Sequence, residues 1–290
     1  MIALMDPAIA REMWHRLEAV NAVTYFSPEC REAPERLGLT GFWMGYFACR
    51  AAPMGPVTPG VVDATFFNFH PRRVRNALPE AWSRAAPAAL LVARATAAAS
   101  ALRRLLGDPE AEALAGAVVN RLDDVIQRAA RAGRPLFSTN VDVERPADPV
   151  ATLWQVATTL REHRGDGHVA LLTGAGLDGC EVHVVFAACE GVDPGLYQVS
   201  RGWSPEEWAD AVDRLATRGL VASDGGATDA GRQLRTDIER RTDELAVTPY
   251  RALGDAGVAA VLEALTPAAA RITAAGEIRF PNPMGLPGPA

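Results

Sequence analysis

Proline follows a capping-type residue at Asp6-Pro7, Ser27-Pro28 and Ser204-Pro205, and Pro71 follows His70 in the same manner. The fixed φ of proline suits the first turn of a helix, where its missing N–H would have no partner anyway, so each pair marks a helix start. Behind the first of them Ile9, Met13, Leu17 and Val20 recur at helical spacing. Gly38 and Gly219 mark ends, and Gly107-Asp108-Pro109 joins two long alanine-rich stretches, 80–106 and 109–132. Only LVAS (220–223), running into the DGGAT turn, suggests strand. The expected fold is mainly α, with two related helical halves, the second containing a winged-helix element with a short β-hairpin.

The best break in helical period is RPLFSTNVDVERPADP (134–149), with three prolines. It divides the chain into an N-terminal helical domain (1–135), a C-terminal winged-helix-like domain (136–275) and a loose tail (276–290). A helix is expected over 149–163, a sharp corner at RGDGH with Gly165 and Gly167, and a new helix from His168. The helix 204–219 carries a Ser cap, Pro in the first turn, Glu at the third position and a closing Gly. Thr228 is the expected cap of a helix to about Leu245.

Two stretches echo each other. GLTG (38–41), Phe47-Ala48 and NFHP (68–71) recur in order as GLDG (176–179), Phe186-Ala187 and GWSP (202–205). Descent of both halves from one unit is one explanation, and chance recurrence of Gly/Pro patterns in a helical protein is the other.

All 29 basic residues are arginine, since lysine is absent. Schiff-base chemistry and P-loop or kinase-type lysines are therefore excluded. No nucleophile elbow, dinucleotide fingerprint or Walker motif occurs. The four cysteines form no C-x-x-C pair, and no basic-then-apolar leader or membrane-length apolar run is evident. The protein is expected to be soluble and cytoplasmic, with no membrane partner. A net charge of −6 disfavours broad attraction to nucleic acid.

At 196–245 the order of helix, LATRGLV, hairpin and ATDAGRQLRTDIERRTDEL resembles the second half of a MarR-type winged helix. YFSPECREAPERLGLTGFWMGYFACRAAPMGPV, FNFHPRRVRNALPEAW and LREHRGDGH resemble an actinobacterial helix-turn-helix family of about 290 residues. The resemblance implies a DNA-reading architecture, but the residues oppose it. The reading helix would present Glu206, Glu207, Asp210 and Asp213, and 204–245 holds ten acids against six arginines. The HPRRVR run (70–75) is the remaining argument for DNA, against a solvated face paired with acids.

The densest polar group is REHRGDGH, with Glu162, His163, Asp166 and His168. These, with His70 ahead of Pro71, are the candidate catalytic residues, as acid/base groups or metal ligands; a structural corner in which Glu162 and Asp166 clamp Arg161 and Arg164 is the alternative. The histidine spacing matches no zinc motif, and the sequence names no metal and no cofactor. Trp43, Tyr46, Phe47 and Phe67 are candidate ligand-binding residues, with Arg50 at a polar end and His183 nearby, against plain core packing. The first functional reading is a small-molecule-binding or sensor protein for an apolar or aromatic ligand, with weak or no DNA binding. The second is a cofactor-light or metal-dependent enzyme, and the third a DNA-binding regulator acting as a homodimer.

Overall fold

The computed structural model describes residues 5–288. The chain opens with α1 (Ala8–Phe26), α2 (Pro28–Arg36), α3 (Gly41–Ala51), α4 (Pro59–Phe66), α5 (Pro71–Arg75) and α6 (Glu80–Arg84). Then come α7 (Pro87–Leu106), α8 (Asp108–Arg128), α9 (Pro135–Val141) and α10 (Pro149–Gly174). The last group is α11 (Glu181–Glu190), α12 (Pro194–Tyr197), a π-turn (Gln198–Gly202), α13 (Pro205–Thr217), α14 (Asp229–Val247) and α15 (Gly254–Ala274). Proline opens α2, α5, α7, α10 and α13, and α13 carries a full capping box between Ser204 and Glu207.

Mainly α is what is observed, but the expected hairpin is absent. The described residues contain no β-strand, only one antiparallel bridge between Val221 and Ala227. Gly219 ends α13 and Thr228 caps α14, so three residues on one side face a turn closed by Ala222–Gly226 and Gly225–Ala222 backbone bonds. Arms this short cannot build a ladder, and without a ladder there is no wing.

The RGDGH corner is likewise not formed. Helix α10 runs unbroken through Gly165 and Gly167 for 26 residues, about 39 Å at the usual rise. Gly167 serves close approach instead: a Cβ there would lie 2.8 Å from a guanidinium nitrogen of Arg134, which donates to the carbonyls of His163 and Leu245. The supposed loop 134–149 also contains α9, whose Leu136 and Phe137 are buried. Packing of α10 on nearly every side outweighs the glycine penalty that its local sequence carries.

Three large apolar cores result, with a small cluster of Ala10, Ala246 and Val247 beside them. The first joins α1, α7, α8, the N-terminal part of α10 and α15, and so draws on both sides of residue 135. Ile278 and Leu286, beyond α15, are 4% exposed and belong to it, so residues 278–286 return across the molecule. By length and composition the stretch 229–274 is apolar enough to cross a membrane. Its Val258, Val261, Leu265 and Ile272 nevertheless pack into this first core.

The second core is the lobe of α3 to α6, and the third is the lobe of α11 to α14 with the end of α10. These lobes contain the two echoing stretches, and NFHP meets GWSP in space. Trp203 Nε1 donates to the Asn68 carbonyl at 3.2 Å, and the His70 N–H donates to the Arg201 carbonyl at 3.0 Å.

Candidate functional site

Between the two lobes, with α1 and α10 behind them, lies a cavity of about 930 Å³. The second lobe's Trp43, Tyr46, Phe66 and Phe69 form one wall, and Val182, His183, Phe186 and Tyr197 of the third face them. Trp14, His15, Glu18 and Tyr25 from α1 and Arg161, Glu162 and His168 from α10 close the back. Exposed Arg31, Glu35, Phe42 and Arg279 mark where the cavity reaches the surface.

Two backbone irregularities meet at this wall. Phe67 has φ 63° and ψ −54°, and the Asn68 N–H bonds the Phe66 carbonyl two residues back at 2.7 Å, which is a strained γ-turn for a bulky residue. That turn aims the Asn68 carbonyl at both Trp203 and His183. Opposite it, the π-turn 198–202 swings Ser200 and Arg201 into the cavity and ends at Gly202 with φ 89°. A side chain at Gly202 would be disfavoured by that φ and would meet Arg73 Nε at 2.6 Å. Strain of this kind concentrates at functional sites.

The charged groups of the wall form a linked set. Glu162, 2% exposed, accepts from Arg50 Nε and Nη2 at 2.9 Å each and from Arg161 Nη1 at 3.0 Å. Burial opposes its charge, but the two guanidinium groups prevail and hold its pKa down at about 2. Glu18 has only an Arg161 contact at 3.3 Å and no hydrogen bond, and burial pushes its carboxyl up. Burial also pushes the neighbouring Tyr25 hydroxyl up to about 12. Arg94 reaches only neutral acceptors: the Cys49 carbonyl, Asn140 and Gln155.

The structure separates the sequence-derived candidates. Trp43, Tyr46, Arg50, Glu162, His168 and His183 line the cavity. Phe47 is fully buried in the second core, and Phe67 packs against the third. His70 joins the lobes instead: Nδ1 accepts from the Arg72 N–H, so Nε2 carries the hydrogen and donates to Glu207 at 2.7 Å. His163 lies edge-on to Phe137, with burial and then Arg134 lowering its pKa to about 3. Asp166 accepts from the Phe137 N–H at 2.8 Å, and burial raises its pKa to about 6. The expected pairing of Asp166 with Arg164 is not made, since Arg164 bonds Glu239 and Asp243.

His168 lies inside the C-terminal third of α10, not at a helix N-terminus. Thr242 spends its hydroxyl proton on the Ile238 carbonyl, so it accepts from His168 Nδ1 and leaves Nε2 as the basic nitrogen. Burial is the main cause of its pKa falling to about 4. His183 stacks on Tyr197 with centroids 4.6 Å apart and is held neutral by burial and by Arg201. Acid and base candidates thus do not converge on one point, and Glu162 is engaged by arginine on both oxygens. Among the described residues no group of three or more His, Cys, Asp or Glu is placed to hold a metal ion.

Sequence reasoning missed Tyr25, Arg161, Tyr197, Ser200 and Arg201 as wall residues. Arg161 stood beside a singled-out Glu162 and was legible as its partner, but nothing in the local pattern of QVSRG signals a π-turn. Compared with known proteins, residues 10–279 match the model of a helix-turn-helix family. No curated protein and no solved structure matches the chain.

Proposed function

We propose that this chain, which belongs to a helix-turn-helix family, is a small-molecule-binding protein whose ligand occupies the cavity between the lobes, and that duplex DNA is not its main partner. The cavity carries the reading. Its volume falls within the roughly 300–1,000 Å³ typical of ligand pockets, and aromatic side chains from both lobes line it, as in such pockets. The γ-turn and π-turn that shape it are features a plain packing core has no reason to keep.

The outer face of α13 supports the second half of the proposal. Glu206, Asp210 and Asp213 are exposed there. Both arginines of that helical end, though partly in solvent, are paired within the chain: Arg214 with Asp178 and Glu181, Arg218 with Glu181 and the carbonyls of Ala175 and Gly176. A surface with so little free positive charge releases few counterions from a duplex and gains little affinity from them.

The test is binding of the neutral fluorophore N-phenyl-1-naphthylamine, with native mass spectrometry of freshly purified protein beside it. One dye site per chain is expected, and Ser200→Trp, which puts an indole into the cavity, should abolish it. Absence of any stoichiometric site in the wild type overturns the proposal. Filter binding to duplex DNA at low salt should show no retention; strong, salt-sensitive retention would refute the DNA half.

A further inference from the structure

We infer that the cavity selects amphipathic anions: ligands with a flat apolar body and an oxyanion at one end, such as a carboxylate, phosphate or sulfonate, held by Arg201 with Arg50 and Arg161 beside it. This rests on the reading of the cavity as a small-molecule site and adds the ligand's charge and shape.

Among the described residues, nine arginines line the cavity against five glutamates, although the whole chain is net negative. Arg11 and Arg164 are compensated by Glu239 and Asp243. Arg50 and Arg161 share Glu162 and Glu18, so their charges are at most balanced.

Arg201 differs from these four; like Arg94 it has no carboxylate partner, but Arg94 has both terminal nitrogens bonded to the Cys49 carbonyl, Asn140 and Gln155. Arg201 is 8% exposed, its Nη2 donates to the Pro283 carbonyl at 2.7 Å, and no described carboxylate pairs with it. Its Nε has no hydrogen-bond partner, and neither has the hydroxyl of Ser200 next to it. The guanidinium lies 4.6 Å over the Phe69 ring, and Arg50 and Arg161 are close enough for their charges to oppose its own.

A buried guanidinium without a counter-charge is costly, and an oxyanion supplies what it lacks. The planar fork of arginine fits a two-oxygen acceptor in particular. Tyr46, Phe66, Phe69 and Tyr197 offer flat apolar surface beside it. A neutral ligand would leave Arg201 uncompensated, and a cation would add to its unpaired charge.

Two dyes that share one body separate charge from shape: 8-anilinonaphthalene-1-sulfonate and N-phenyl-1-naphthylamine, which lacks the sulfonate. Fluorescence titration of the full chain should give one site for each, with the sulfonate at least tenfold tighter. Arg201→Met should cut that ratio at least fivefold, and Arg201→Lys, which keeps the charge without the fork, should restore part of it. Equal affinity for the two dyes in the wild type overturns the anion preference while leaving the cavity a ligand site. An unchanged ratio in Arg201→Met overturns the assignment to Arg201. Failure of both dyes to bind stoichiometrically removes the small-molecule reading itself. The wild-type ratio decides the anion preference even if Arg201→Met does not fold.

Discussion

Arginine serves opposite ends on the outer face of α13 and on the cavity wall. Outside, Arg214 and Arg218 are half in solvent and tie the helix to the Asp178–Glu181 turn, with carboxylates in excess around them. Inside, Arg50, Arg94, Arg161 and Arg201 face two glutamates, one of which burial pushes toward its neutral form. The same side chain is surplus to carboxylate in one place and short of it in the other. Counting charges along a segment therefore says little about which charge is available to a partner; burial and hydrogen-bond partners decide that.

The comparison breaks most visibly at Glu162. Glu162→Gln strips the shared counter-charge from two buried guanidinium groups and is expected to destabilise the fold by about 3 kcal/mol or more, read by urea unfolding. A loss below about 1 kcal/mol would mean that the wall arginines are already compensated and that the contrast with α13 is spurious.

Acid is expected to act next. His163, at about 3, and His168, at about 4, are neutral when folded but protonate near pH 6.5 when unfolded, and His183 is shifted the same way. Their contribution is present above pH 6.5 and lost as pH falls toward the folded values. Asp166, Glu18 and Asp63, shifted upward, work in the opposite sense but are fewer than the four histidines that include His15, which is also lowered. Unfolding free energy should fall by on the order of 1–2 kcal/mol per pH unit between pH 6 and 5. Urea midpoints that stay level from pH 7 to 5 would contradict the neutral interior.

Asp166 sharpens this further. Its folded pKa, about 6, lies above the unfolded value, so the stability tied to its proton is present below about pH 4 and lost as pH rises through 6. Asp166→Asn keeps an acceptor for the Phe137 N–H and removes the charge. A gain on the order of 1 kcal/mol is expected at pH 8, vanishing near pH 4; a loss at pH 8 would show that the charge itself is needed.

The smallest effect belongs to the outer face. Arg214→Ala leaves Arg218 on Glu181 and is expected to cost about 1 kcal/mol or less in the same assay. A cost equal to that of Glu162→Gln would erase the distinction between the two regions.

Helix starts at Pro28, Pro71 and Pro205, the Ser204–Glu207 capping box and the break at Gly107 were all legible, because each depends on a few neighbouring residues. The corner at RGDGH was misjudged for the converse reason: two glycines look like a hinge until Arg134, about thirty residues earlier, is seen lying over one of them. The hairpin failed because a turn sequence does not show whether its arms are long enough to pair. At the site, the aromatic wall and Arg50 were visible as a local concentration of rings beside a charge.

The amino-acid sequence alone determined a mainly helical chain with fixed helix starts, no lysine chemistry and an acidic α13, since propensity, caps and composition are local or additive quantities. Tertiary structure decided which charges are spent and which are free. Arg50 meets Glu162 from 112 positions away, and Arg201 meets the Pro283 carbonyl, 82 positions on, and the Phe69 ring. Whether a guanidinium ends among carboxylates or among rings depends on contacts that exist only after the helices have packed.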